Sequence, residues 1–207
     1  MKLSAIAINC TLKRGNGESS STDAMIAVVA KHLREQDVDV GETIRIADHD
    51  VKPGVKNDEG DGDEWPAILR KIMAADILIF GTPIWMGQPS SVAKRVLERM
   101  DAFLGDATDD GIYPPYGKVA VAAIVGNEDG AHHTAAELFQ SLNDVGWTIP
   151  AMASCYWVGE AMASKDFKEF DKTPKKVTET AKIVATNAAH LAGLLKGKSY
   201  PGAGGSA

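Results

Sequence analysis

The sequence predicts an α/β domain, a three-layer sandwich around a five-stranded parallel sheet, and three observations carry that prediction. Short, almost wholly apolar runs such as Ile77–Phe80 and Lys118–Val125 read as strands covered on both faces. Each strand is followed by a segment with apolar residues three and four apart, the period of an amphipathic helix. The two patterns alternate five times, which implies right-handed βαβ units. With 207 residues, 44% hydrophobic and 24% charged, the chain can bury one substantial core.

The elements follow in order. Leu3–Asn9 reads as the first strand, and Cys10–Ser21 as a polar loop with Gly15 and Gly17. Ser20, Ser21, Thr22 and Asp23 offer N-caps for a helix that runs to about Gln36, with Met25, Ile26, Val29 and Leu33 on its apolar face. Glu42–Ala47 is a short second strand, and the acidic, Gly-rich stretch Asp48–Glu64 reads as a mobile surface excursion. A second helix over Glu64–Ala74 precedes the third strand, which stops at Gly81. The loop Thr82–Gln88 follows, then a third helix over Ser90–Phe103. Past the loop Gly105–Gly117 come the fourth strand (Lys118–Val125), a fourth helix (Ala131–Val145) and a fifth strand (Thr148–Cys155). Tyr156–Lys172 reads as a long loop and Pro174–Leu195 as the last helix, capped at Thr173-Pro174. One domain spans 1–196, and the Gly-rich tail 197–207 reads as disordered.

Composition narrows the function classes. A net charge of −6 argues against nucleic acid or an acidic membrane as the main partner. No apolar run approaches the roughly 18 residues that span a bilayer, and residues 1–10 lack a signal-peptide pattern. Cys10 and Cys155 are the only cysteines, which fits a reducing cytoplasm and is too few for an iron–sulfur cluster. Adjacent His132 and His133 face different ways at a helix start, and no third ligand at metal spacing accompanies them. No metal site is expected.

In open parallel sheets, ligands sit beyond the carboxyl ends of the strands, so three loops carry the chemistry. The first, Thr11–Thr22, brings hydroxyls and backbone N–H groups to a helix start with Lys13 and Arg14 nearby. That is an anion site, suited to a terminal phosphate on Thr11, Ser20, Ser21 and Thr22, or else simply a well-capped, solvated helix start. It contains neither a P-loop nor a GxGxxG fingerprint. The second loop, Thr82, Pro83, Ile84, Trp85, Met86, Gly87 and Gln88, suits a flat apolar ligand; the alternative is an ordinary connection with Trp85 in the core. In the third, Gly126–His133, two glycines let backbone N–H groups approach an electron-rich ligand edge.

Together the Cys10–Thr22 loop, GTPIWMGQPS at 81–90 and VGNEDGAHH at 125–133 resemble the flavodoxin-like superfamily, in its NAD(P)H-dependent FMN reductase and quinone reductase branch. The resemblance covers about residues 1–195. It implies strand order 2-1-3-4-5, with FMN at the carboxyl edge of strands one, three and four. It assigns the FMN phosphate to Thr11, Lys13, Ser20, Ser21 and Thr22, and the ring to Pro83, Ile84, Trp85, Met86 and Gly87. Gly126, Asn127, Asp129 and Gly130 would wrap the far side of the ring. The first loop departs from the branch, with Cys10-Thr11-Leu12-Lys13 where Gly-Ser-x-Arg is usual.

The chemistry so implied is hydride transfer from NAD(P)H through FMN to a quinone or other small acceptor. Backbone N–H groups of the third loop would stabilise charge at the ring edge, with Glu128 and Asp129 pointing outward. His132 is the candidate for a proton relay. Residues 156–170 would cover an acceptor pocket or a neighbouring flavin in a homodimer or homotetramer. The alternative is a flavodoxin-type electron carrier serving protein partners without NAD(P)H turnover.

Overall fold

The computed structural model describes residues 2–161 and 165–204. Five parallel strands form the sheet: β1 (Ser4–Asn9), β2 (Asp39–Arg45), β3 (Ile77–Trp85), β5 (Val119–Gly126) and β6 (Ser154–Val158). Their order is β2-β1-β3-β5-β6, with a two-residue β4 (Gln88–Pro89) paired antiparallel to the end of β3. Without β4 this is the expected 2-1-3-4-5 order. Helices α1 (Ser21–Arg34) and α5 (Lys175–Leu195) cover one face; α2 (Trp65–Ala74), α3 (Ser91–Met100) and α4 (Ala131–Asp144) cover the other. β3 lies at the centre; β5 is an interior strand beside it, paired with β3 and β6, and Val119–Val125 are at most 2% exposed. Among the described residues no helix is long and apolar enough to cross a membrane.

Four expectations are corrected. The third strand does not stop at Gly81 but runs to Trp85, so most of the expected second loop is strand. Gly81 is a packing gap rather than a break: a Cβ there would lie 2.5 Å from Ile26 Cδ1 of α1. The fifth strand is displaced from Thr148–Cys155 to Ser154–Val158. Thr148 keeps a single bridge to Val119, and then Pro150, which has no N–H, and Met152, at φ +55°, interrupt the ladder.

The excursion after β2 is irregular but fastened. Arg99 of α3 sets its Nη2 2.7 Å from Asp63 Oδ2, with neither side chain exposed. Its Nε and Nη1 donate to the carbonyls of Lys56 and Lys52. Burial pushes the Asp63 carboxyl up, but Arg99 and the N–H groups of Glu59, Trp65 and Lys52 outweigh it and hold it down to about 2. Residues 197–204 of the tail are mostly exposed but attached at points: Tyr200 meets Tyr116 edge-on, its hydroxyl accepts from Thr148, and Gly204 N–H donates to the Asp110 carbonyl. Residues 162–164 of the expected long loop and 205–207 of the tail lie outside the described residues.

Candidate functional site

The three expected loops meet at the carboxyl edge of β1, β3 and β5. Asn9, the last residue of β1, is buried, and its side chain organises the first of them. Its carbonyl accepts the Thr11 N–H, and its amide donates to the Ser20 hydroxyl and the Asp23 carboxylate. Ser20 and Asp23 form a capping box at the start of α1. Burial raises the Asp23 carboxyl, but the Ser20 N–H, Asn9, the Ser20 hydroxyl and Arg45 of β2 together hold it below its usual range. This network occupies the Ser20 hydroxyl completely. The N–H groups of Ser21 and Thr22, the first two of the helix, meet no acceptor among the described residues. They point where the helix dipole favours an anion. Thr11 and Thr22 are buried, and Lys13 is exposed.

The second loop is a β-hairpin. Trp85 pairs with Gln88, and the two residues between them, Met86 (φ +56°) and Gly87 (φ +74°), are both left-handed, as a type I′ turn requires. A left-handed Met costs about 1 kcal/mol. The Glu128 carboxylate accepts the Met86 N–H at 2.9 Å and fixes that conformation. Glu128 therefore turns toward the hairpin, not outward, while Asp129 is exposed and accepts the Gly130 N–H. The tip presents its side chains: Met86 is 89% exposed and Trp85 is 50% exposed, so Trp85 is not a core residue. Ile84 and Thr82 are buried. Thr82 is tied to Ser90, whose hydroxyl donates to the Cys10 carbonyl at 2.5 Å and welds the hairpin base to the first loop. Pro83 is half-buried between them.

The third loop packs on the hairpin backbone to backbone. A Cβ on Gly130, which sits at φ +124°, would fall 2.6 Å from Gly87 Cα. A Cβ on Gly126 would fall 2.8 Å from Ile84 Cβ. The Asn127 amide is drawn away to Asp166, 2.9 Å off, and the Gly126 carbonyl accepts the Gly159 N–H. Residues 165–170 thus reach over this edge, and Lys168 continues to the first loop, its N–H on the Ser21 hydroxyl and its Nζ 3.3 Å from the Ser19 carbonyl. His132 leaves the loop sideways and is hydrogen-bonded with Tyr156 of β6 at 3.0 Å. Burial raises both thiols, that of Cys155 to about 12, so neither is a thiolate nucleophile.

The structure thus brings together all three expected loops, but it divides the named residues by role. Thr82, Ile84 and Ser20 hold the frame, while Ser21, Thr22, Trp85, Met86, Gly87 and Gly130 face or shape the open edge. Asn9, Arg45, Ser90, Glu128 and Lys168 were not foreseen as parts of it. Only the S-x-x-D spacing of Ser20 and Asp23 signalled any of this network in advance.

Comparison with known proteins agrees with this geometry. The family model of NADPH-dependent FMN reductase matches residues 3–162. The 8-demethyl-8-aminoriboflavin-5'-phosphate synthase of Streptomyces davaonensis is 32% identical over 213 residues, covering 97% of this chain and 81% of that protein. A crystal structure of RosB with bound 8-demethyl-8-formylriboflavin-5'-phosphate superposes with a TM-score of 0.85 at 31% identity, covering 96% of this chain and 82% of that one. A Mycobacterium bovis protein named divalent metal cation transporter MntH is 44% identical over 163 residues, 77% of this chain. That match spans only 24% of the transporter's length. Among the described residues no three His, Cys, Asp or Glu side chains are grouped to hold a metal ion. The chain belongs to the NADPH-dependent FMN reductase family.

Proposed function

We propose that the protein takes hydride from NAD(P)H and passes the electrons to a quinone or another small acceptor, using the family's FMN. The observation that carries this reading is the meeting, at one sheet edge, of an anion cradle and an exposed aromatic hairpin. The residues fit the cofactor: free N–H groups of Ser21 and Thr22 suit a phosphate dianion, and Trp85 and Met86 offer apolar surface to a flat ring. Bound there, FMN supplies the hydride chemistry. The chain's own part is to hold and orient. Gly130 lets the third loop close on the hairpin at Gly87, and backbone N–H groups after β5 would stabilise negative charge at the ring edge. His132, with Tyr156, is assigned to proton relay; His132→Ala then slows turnover while FMN stays bound, and unchanged turnover removes it from that role.

The test begins with the absorption spectrum of the purified protein supplied with FMN. Flavin bands that NADPH or NADH bleaches anaerobically, and that a quinone restores, support the reductase. Bands that neither nucleotide bleaches favour an electron carrier. A second reading rests on the synthase relative: the flavin phosphate would be substrate rather than cofactor. Mass spectrometry of the flavin after turnover separates the two, since a cofactor is recovered unaltered.

A further inference from the structure

The loop that forms the cradle at the start of α1 carries Lys13 and Arg14, but among the described residues no hydrogen bond or ion pair fixes either side chain over it. Arg45 is paired with Asp23, and Lys13 and Arg14 are exposed. A cation comes instead from a segment almost 150 residues further along. Lys168 donates its backbone N–H to the Ser21 hydroxyl and its Nζ to the Ser19 carbonyl, both at 3.3 Å, so its ammonium lies across the mouth of the cradle. Its position is built. Lys168 belongs to a 3₁₀ turn, Phe167–Glu169, with its own capping box between Asp166 and Glu169. Phe167 is 4% exposed and packs against Trp157 and Phe170, and Asp166 accepts the Asn127 amide from the opposite loop. Lys168 itself remains exposed, free to exchange a carbonyl for a better acceptor.

We propose that Lys168 neutralises the 5'-phosphate of FMN and so selects the phosphorylated flavin over riboflavin. The inference rests on the FMN reading of the site. It also concerns a residue beyond the 3–162 matched by the family model. A phosphate oxygen replacing the Ser19 carbonyl gives Lys168 a charge-assisted bond, the stronger kind, beside the N–H groups of Ser21 and Thr22. Because the same turn is tied to Asn127, phosphate binding at one end steadies the loop at the other.

The test titrates the wild type, Lys168→Met and Lys168→Arg with FMN and with riboflavin by flavin fluorescence, at low and high salt, with thermal midpoints checked. The wild type is expected to prefer FMN. Lys168→Met is expected to weaken FMN about tenfold or more, to leave riboflavin within about twofold and to flatten the salt dependence; Lys168→Arg restores FMN binding. Equal loss of both flavins in Lys168→Met, or loss of neither, overturns the proposal and leaves the FMN site standing. A wild type that binds no FMN overturns both.

Discussion

The hairpin at the end of β3 and the excursion after β2 were both expected to be loops, and they keep their shape by opposite means. In the hairpin the backbone does the holding, through strand pairing, a type I′ turn and the close approach of Gly87 and Gly130. Its side chains, Trp85 and Met86, are left to solvent. In the excursion there is almost no regular backbone pairing, and one buried side-chain pair, Arg99 with Asp63, closes the segment. The difference shows how a site stays both rigid and open: order comes from the main chain where the side chains must meet a ligand.

That contrast can be broken at the excursion first. Arg99→Met leaves the Asp63 carboxylate buried without its partner, which costs on the order of 3–5 kcal/mol. Urea denaturation should show the full loss, with FMN affinity of the folded fraction unchanged; a loss of affinity as well would mean that the two regions are coupled. Next comes Gly130→Ala, whose Cβ must push the hairpin off the third loop. It is expected to lower stability by about 1–3 kcal/mol and, unlike Arg99→Met, to weaken FMN binding, read by equilibrium titration.

A smaller effect follows from acid. The Asp63 carboxyl is lowered from 3.8 to about 2 in the folded chain. Its contribution is therefore complete above the unfolded value and is lost as pH falls through about 2, amounting to at most about 2–3 kcal/mol. Asp23, Asp76, Glu35 and Glu64 are lowered as well, so the slope should be compared with that of Arg99→Met, in which the Asp63 share loses its Arg99 part and shrinks. The least effect on stability belongs to Trp85→Ala, within about 0.5 kcal/mol. FMN affinity is nonetheless expected to drop severalfold, and equal affinity would remove Trp85 from the ring's surroundings.

How much of this was legible depended on the range of the interaction. The layers followed from local periodicity, because a buried parallel strand must be apolar throughout, whereas the strand order came only from the resemblance of the three loops to a known superfamily. The three loops followed from hydroxyls, glycines and aromatics placed after those strands. What escaped were contacts between residues far apart in the chain. Gly81 and Pro83 look like strand breakers until the side chain of Ile26 and the partner Val125 are in view. Glu128 looked like a surface carboxylate because nothing local shows that Met86 needs an acceptor. Arg99 and Asp63 sit in separate elements whose meeting no spacing rule reveals. The tail reads as disordered from its glycines, but Tyr200 finds a place against Tyr116 that composition cannot show.

The interior strand β5 has a consequence for electron transfer. From Val119 to Val125 it is sealed on both faces and bonded along both edges. Interiors packed in this way are barely compressible. A redox ring seated at the end of such a strand would gain or lose charge against surroundings that hardly move, and against dipoles already aimed at it. The small reorganisation energy of the step would then be a property of the wall behind the ring, set by the alanines and valines of one strand rather than by any residue that touches the ring.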